Sequence, residues 1–127
     1  MQYEVLNGTT LAYMGDAVYA LQIREHLIQQ GYQKPKILQE RSVLYVSAKA
    51  QAKSLKFLMD NHFLTETEIG IVKRGRNAKT QSVAKNTDVI TYRNATGFEA
   101  LWGYLYFGKK AERLEKLCRL VVGEIEK

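Results

Sequence analysis

An all-α fold is predicted by three observations. The 127 residues include a single proline, Pro35, apolar residues recur at three- and four-residue spacing over long stretches, and strands find little support. The length is that of one domain with one core, so residues 1–127 are expected to form a single unit, and no repeat, low-complexity tract or linker divides them.

The first helix is expected to start near Thr9 or Thr10, whose hydroxyls can cap it, and to end near Gly31, with Leu11, Met14, Val18, Leu21 and Ile28 as its apolar stripe. After a turn at Gly31 to Pro35, a second helix should cover Ile37 to Asn61, with a break near Ser42. A short helix follows from Thr65, which forms a Ser/Thr-x-x-Glu capping box with Glu68. The segment from Lys73 to Lys79 then interrupts the hydrophobic pattern, and polar sequence continues to Asp88, marking a functional loop or helix end. Another helix should carry Glu99 and stop at Gly108. The last is amphipathic through Leu114, Leu117, Leu120, Val121 and Ile125.

Lysine and arginine number 19 against 13 acidic residues, a formal charge of +6 with a pI near 9.4. Such a chain attracts nucleic acid or anionic lipid. The N-terminus lacks the regions of a signal peptide, and the longest apolar run, Ala95 to Gly108, carries Glu99 and is too short to span a bilayer. A cytoplasmic location is expected. The single cysteine, Cys118, has no partner for an internal disulfide and fits a reducing compartment.

The chemistry is concentrated in two acids. Asp16 lies within Leu11-Ala-Tyr-Met-Gly-Asp-Ala-Val-Tyr-Ala20, and Glu99 is the one charge between Ala95 and Gly108. An ionised carboxylate in apolar surroundings needs a compensator, either a cap or ion pair within the core or a metal ion. Magnesium takes hard oxygen ligands and keeps several waters, so two carboxylates and a substrate phosphate suffice. In the basic segment, Arg74 and Arg76 can fork onto phosphate, Gly75 permits close backbone approach, and Asn77 and Lys79 add polar contacts; a merely solvated turn is the alternative. His26 and His62 lack metal-site spacing, and no serine nucleophile motif, Walker loop or dinucleotide fingerprint is present.

Leu11-Ala-Tyr-Met-Gly-Asp-Ala-Val resembles the signature helix of ribonuclease III endonuclease domains, and Phe98-Glu-Ala-Leu-Trp-Gly-Tyr-Leu-Tyr resembles their second catalytic helix. Arg74-Gly-Arg-Asn-Ala78 and Lys85-Asn-Thr-Asp88 look like the short bacterial class, Mini-ribonuclease III, and the chain stops where a catalytic domain without a double-stranded-RNA-binding domain would stop. The resemblance implies an all-α homodimeric endoribonuclease that cleaves double-stranded RNA with Mg2+, with precursor large-subunit (23S) ribosomal RNA as the expected substrate, in its maturation. It makes Asp16 and Glu99 the catalytic, metal-binding carboxylates, assigns RNA contacts to Arg74, Arg76, Asn77, Lys79 and Lys85, and makes Tyr13 an anchor at the dimer interface. Gly15 would allow close helix packing. Larger ribonuclease III enzymes carry two further acids where this chain has Ala12 and Thr96. That departure keeps open a non-catalytic RNA-binding or ribosome-associated module, and the basic last helix a membrane-surface or protein-interaction module.

Overall fold

The computed structural model describes residues 1–78 and 88–127. After a single 3-10 turn, Tyr3–Val5, come α1 (Gly8–Gln29), α2 (Pro35–Val46), α3 (Ala48–Asp60), α4 (Glu66–Arg76), α5 (Val89–Phe107) and α6 (Ala111–Ile125), with no strand among the described residues. The all-α expectation holds.

Local chemistry sets the helix ends. Asn7, rather than Thr9 or Thr10, caps α1, its side chain accepting from the Thr10 backbone N–H at 2.8 Å. Gly31, at φ 104°, takes the left-handed conformation that ends this region. The break in the second helical stretch falls at Ser47 and not at Ser42. Ser47 is extended, ends α2 and caps α3 by accepting from the Ala50 N–H at 3.1 Å, whereas the Ser42 hydroxyl donates to the Leu38 carbonyl within α2. The capping box at Thr65 and Glu68 forms as expected. Asp88 caps α5 through the Thr91 N–H, and Gly108 ends it.

Helix α5 is the hub, packing on α1, α3, α4 and α6, with its largest interface against α1. Tyr19, Phe98 and Trp102 form the centre of the core, Phe98 stacked on Trp102 with centroids 4.1 Å apart. The buried polar tips are satisfied: Trp102 donates to Gln22 at 2.7 Å and the Tyr19 hydroxyl to the Tyr45 carbonyl at 3.1 Å. The stripe predicted for α1 is partly wrong. Leu11, Ala12, Gly15, Tyr19, Ile23 and Leu27 face inward, while Leu21 and Ile28 are exposed by 66% and 55%. No helix among the described residues is long and apolar enough to cross a membrane.

Candidate active site

Two glycines bring α1 and α5 into main-chain contact. A Cβ on Gly15 would overlap the Glu99 carbonyl, and one on Gly103 would overlap the Leu11 carbonyl, so at this crossing neither helix has room for a side chain. Asp16 follows Gly15 on α1, and Glu99 lies one turn before Gly103 on α5. The crossing therefore sets the two carboxylates side by side. With Thr9, Ala12, Tyr13, Tyr92 and Thr96 they line a cleft of about 210 Å³.

Asp16 is exposed, contrary to the apolar setting its sequence suggested, and Glu99 is half-buried behind it. Burial first, and then the adjacent Asp16 carboxylate, push the Glu99 carboxyl up to about 8; the Gln51 amide offsets only part of this by donating to the charged form. Neither acid takes part in an ion pair among the described residues. Two oxygen-donor groups that repel one another, with no cation supplied by the described chain, suit a hard divalent cation. No cluster of three or more acidic, histidine or cysteine side chains occurs among the described residues. Ala12 has no donor to add, and the Thr96 hydroxyl, at the wall of the cleft, already donates to the Tyr92 carbonyl at 3.0 Å.

The residues expected to meet RNA are distributed differently. Arg74 donates from Nη1 to the carbonyls of Glu4 and Leu6, at 2.7 and 3.0 Å, fastening α4 to the segment before α1. Arg76 is exposed, its stem over Gly97. Asn77 is the C-cap of α4 and, with Arg74 and Thr9, lines a second cleft of about 740 Å³ that shares Thr9 with the first. Lys79 and Lys85 lie outside the described residues. The backbone approach expected at Gly75 is used inside the protein: a Cβ there would meet the Ala100 Cβ and the Gly97 Cα, both at 2.8 Å. Tyr13 is 82% exposed on the outer face of α1 while also edging the cleft that holds Asp16 and Glu99. His26, half-buried at the end of α1, bonds Glu126, and His62 is exposed.

Sequence reasoning missed Gln51. It lies on the buried side of α3 with Ser54, Leu55 and Leu58. The signal was present, since a glutamine at that helical spacing interrupts an otherwise small or apolar inner stripe.

The Ribonuclease III domain family matches residues 9–110, which include both acids. The Mini-ribonuclease 3 of Enterococcus faecalis is 50% identical, the match covering 96% of this chain and 95% of that one, and the Mini-ribonuclease 3 of Streptococcus pneumoniae is 48% identical over the same shares. The chain belongs to the Mini-ribonuclease III family. A crystal structure of a Fusobacterium nucleatum protein, 33% identical, superposes with a TM-score of 0.81 over 94% of each chain. As a Mini-ribonuclease III the protein is an endoribonuclease, and the cleft between α1 and α5 lies within the part of the chain that matches the nuclease domain.

Proposed function

We propose that residues 1–127 act as one catalytic unit that hydrolyses phosphodiester bonds in double-stranded RNA with Mg2+, using Asp16 and Glu99 as its catalytic pair. The observation that carries this reading is the juxtaposed pair of carboxylates at the α1–α5 crossing, neither of which is in an ion pair among the described residues. When bound, the cation polarises the scissile phosphate and lowers the pKa of the attacking water. Asp16 and Glu99 would hold it, with the Thr96 hydroxyl, fixed on the Tyr92 carbonyl, beside them in the cleft. Arg76, Asn77, Lys79 and Lys85 guide the duplex phosphates, and Arg74 does so with the donors left free by its bonds to Glu4 and Leu6.

A two-fold dimer, anchored through Tyr13, supplies one centre for each RNA strand and cuts with a short 3′ overhang. The exposure of Tyr13, Leu21 and Ile28 along one side of α1 supports this arrangement. Full activity of a species that sediments as a single chain would remove it. Resemblance to the short bacterial class supports precursor large-subunit ribosomal RNA as the substrate, in the cytoplasm.

The test is a digestion of long duplex RNA by the purified chain, with Mg2+ or with a chelator. Discrete fragments are expected with Mg2+ alone, and a precursor ribosomal RNA helix should be cut in preference to an unrelated duplex. Duplex left intact in Mg2+ would overturn the proposal, and equal cutting of both duplexes would remove the ribosomal assignment.

A further inference from the structure

A groove of about 810 Å³ runs between the end of α2, one side of α3 and the end of α6, and it shares no residue with the cleft that holds Asp16 and Glu99. Its apolar lining is Val43, Leu44, Phe57 and Ile125, of which Val43 and Leu44 are exposed by 49% and 56%. A lone exposed leucine is ordinary, but apolar side chains gathered in a concavity mark a surface that another molecule covers. A second hollow of about 480 Å³ shares Leu44 and Ile125 with the first, so the two adjoin.

Charge says what kind of molecule fits. Lys49 and Lys53, one turn apart on α3, also line the groove; both are exposed, and neither is in an ion pair among the described residues. The acids beside them are already engaged, Asp60 with Lys56 at 2.8 Å and Glu124 with Lys127 at 3.4 Å. In the adjoining hollow the Arg41 guanidinium lies over the Tyr32 ring, 4.5 Å from its centroid, and the buried Arg41 Nε finds no acceptor among the described residues. Glu126 lines the same hollow but is bonded instead to the Tyr45 hydroxyl at 2.6 Å and to His26 at 2.8 Å. Duplex RNA could meet these cations, but its phosphates have nothing apolar to lay on Val43 and Leu44. A second copy of the chain would bring its own formal charge of +6 against them. A polypeptide with apolar side chains on one face and carboxylates beside them answers both features. We propose that this groove docks an acidic amphipathic helix of a partner protein, its apolar face on Leu44 and Ile125 and its carboxylates on Lys49, Lys53 and Arg41. Carboxylates one turn apart on such a helix match the one-turn spacing of Lys49 and Lys53.

The probe is a fluorescein-labelled synthetic peptide with leucine along one helical face and glutamate along the other, titrated with the full chain and followed by anisotropy. A peptide of the same composition in scrambled order controls for charge alone. The patterned peptide should bind, and the scrambled one about tenfold more weakly. Leu44→Ser should weaken binding of the patterned peptide about tenfold, as for a central apolar contact. Lys49→Ala combined with Lys53→Ala should weaken it roughly threefold to tenfold and flatten its salt dependence. All three positions are exposed, so these variants leave the core intact, and cleavage of duplex RNA should stay at the wild-type rate. Equal binding of the two peptides overturns the proposal, as does equal affinity of wild type and Leu44→Ser. Weaker duplex binding by the double lysine variant would give the groove to RNA, and a fall in sedimenting mass on Leu44→Ser would give it to a second copy of the chain. Either result overturns the proposal as well.

Discussion

Glu68 and Glu99 are two glutamates on helices of the same small protein, and they respond to burial in opposite ways. The Glu68 side chain is 6% exposed, and its two oxygens receive Arg113 Nη2 at 2.7 Å and Nε at 2.8 Å, with the Thr65 N–H added at 2.9 Å. Burial acts to raise its pKa, but the Arg113 guanidinium and the Thr65 amide outweigh it and hold the carboxyl below its ordinary value. Glu99 has a neutral amide and another carboxylate for neighbours and is pushed up to about 8. The first acid is finished by its own fold. The second has no ion-pair partner among the described residues, which is what separates a structural acid from a candidate ligand.

The largest effect that tests this contrast is on cleavage. Asp16→Asn and Glu99→Gln should each reduce turnover about a thousandfold, about 4 kcal/mol of transition-state stabilisation, with helical content intact. Near-normal turnover in either folded variant would dissolve the distinction. Arg113→Met, by contrast, should leave cleavage per folded molecule unchanged and cost about 3 kcal/mol in chemical denaturation, the lower end for breaking a buried pair because Arg113 is partly wet.

The pH dependence of stability should differ in sign between the two acids. Glu68 has a depressed folded pKa, so its contribution is complete above the unfolded value of ~4.3 and is lost as pH falls through the folded value; Glu68→Gln should flatten the acid limb of a Tm profile. Glu99 has a raised folded pKa and retains a proton that the unfolded chain has released. In chelator, its contribution should therefore decline as pH rises from ~4.3 toward about 8, and Glu99→Gln should remove that decline. A wild-type profile that rises through this window more steeply than that of Glu99→Gln would show that the crossing does not strain the acid.

The smallest effect separates two arginines. Arg76→Ala should flatten the salt dependence of duplex binding by about one released counterion with little change in Tm, whereas Arg74→Ala should also lower stability by about 1 kcal/mol through its lost bonds to Glu4 and Leu6. Indistinguishable salt slopes for Arg76→Ala and wild type would leave this helix end merely solvated.

How much of this was legible depended on whether the deciding contact was local. The Thr65 capping box spans four residues and was readable, as was the Gly108 stop. The break expected near Ser42 falls at Ser47, because Ser42 bonds back to the Leu38 carbonyl and Ser47 meets a backbone N–H ahead of it. On α1 the apolar residues occupy two faces, so periodicity alone drew in Leu21 and Ile28, which the fold leaves outside. The candidate site combines α1 and α5 across 83 positions of chain, and spacing carries no information about that pairing; the resemblance of both segments to one family supplied it. Gly75 was placed at the right helix end but given the wrong neighbour, since no local pattern distinguishes a glycine that admits a ligand from one that admits a helix.

The contact at Gly15 and Gly103 also bears on how such a protein can change over time. Because these helices touch through main chain, the span between Asp16 and Glu99 is fixed by atoms that every residue shares, and not by the bulk of any side chain. Side chains elsewhere in the interior can then change shape and repack while the separation of the two acids stays put. The half of the sequence that differs from the Enterococcus faecalis relative can drift around that fixed gauge.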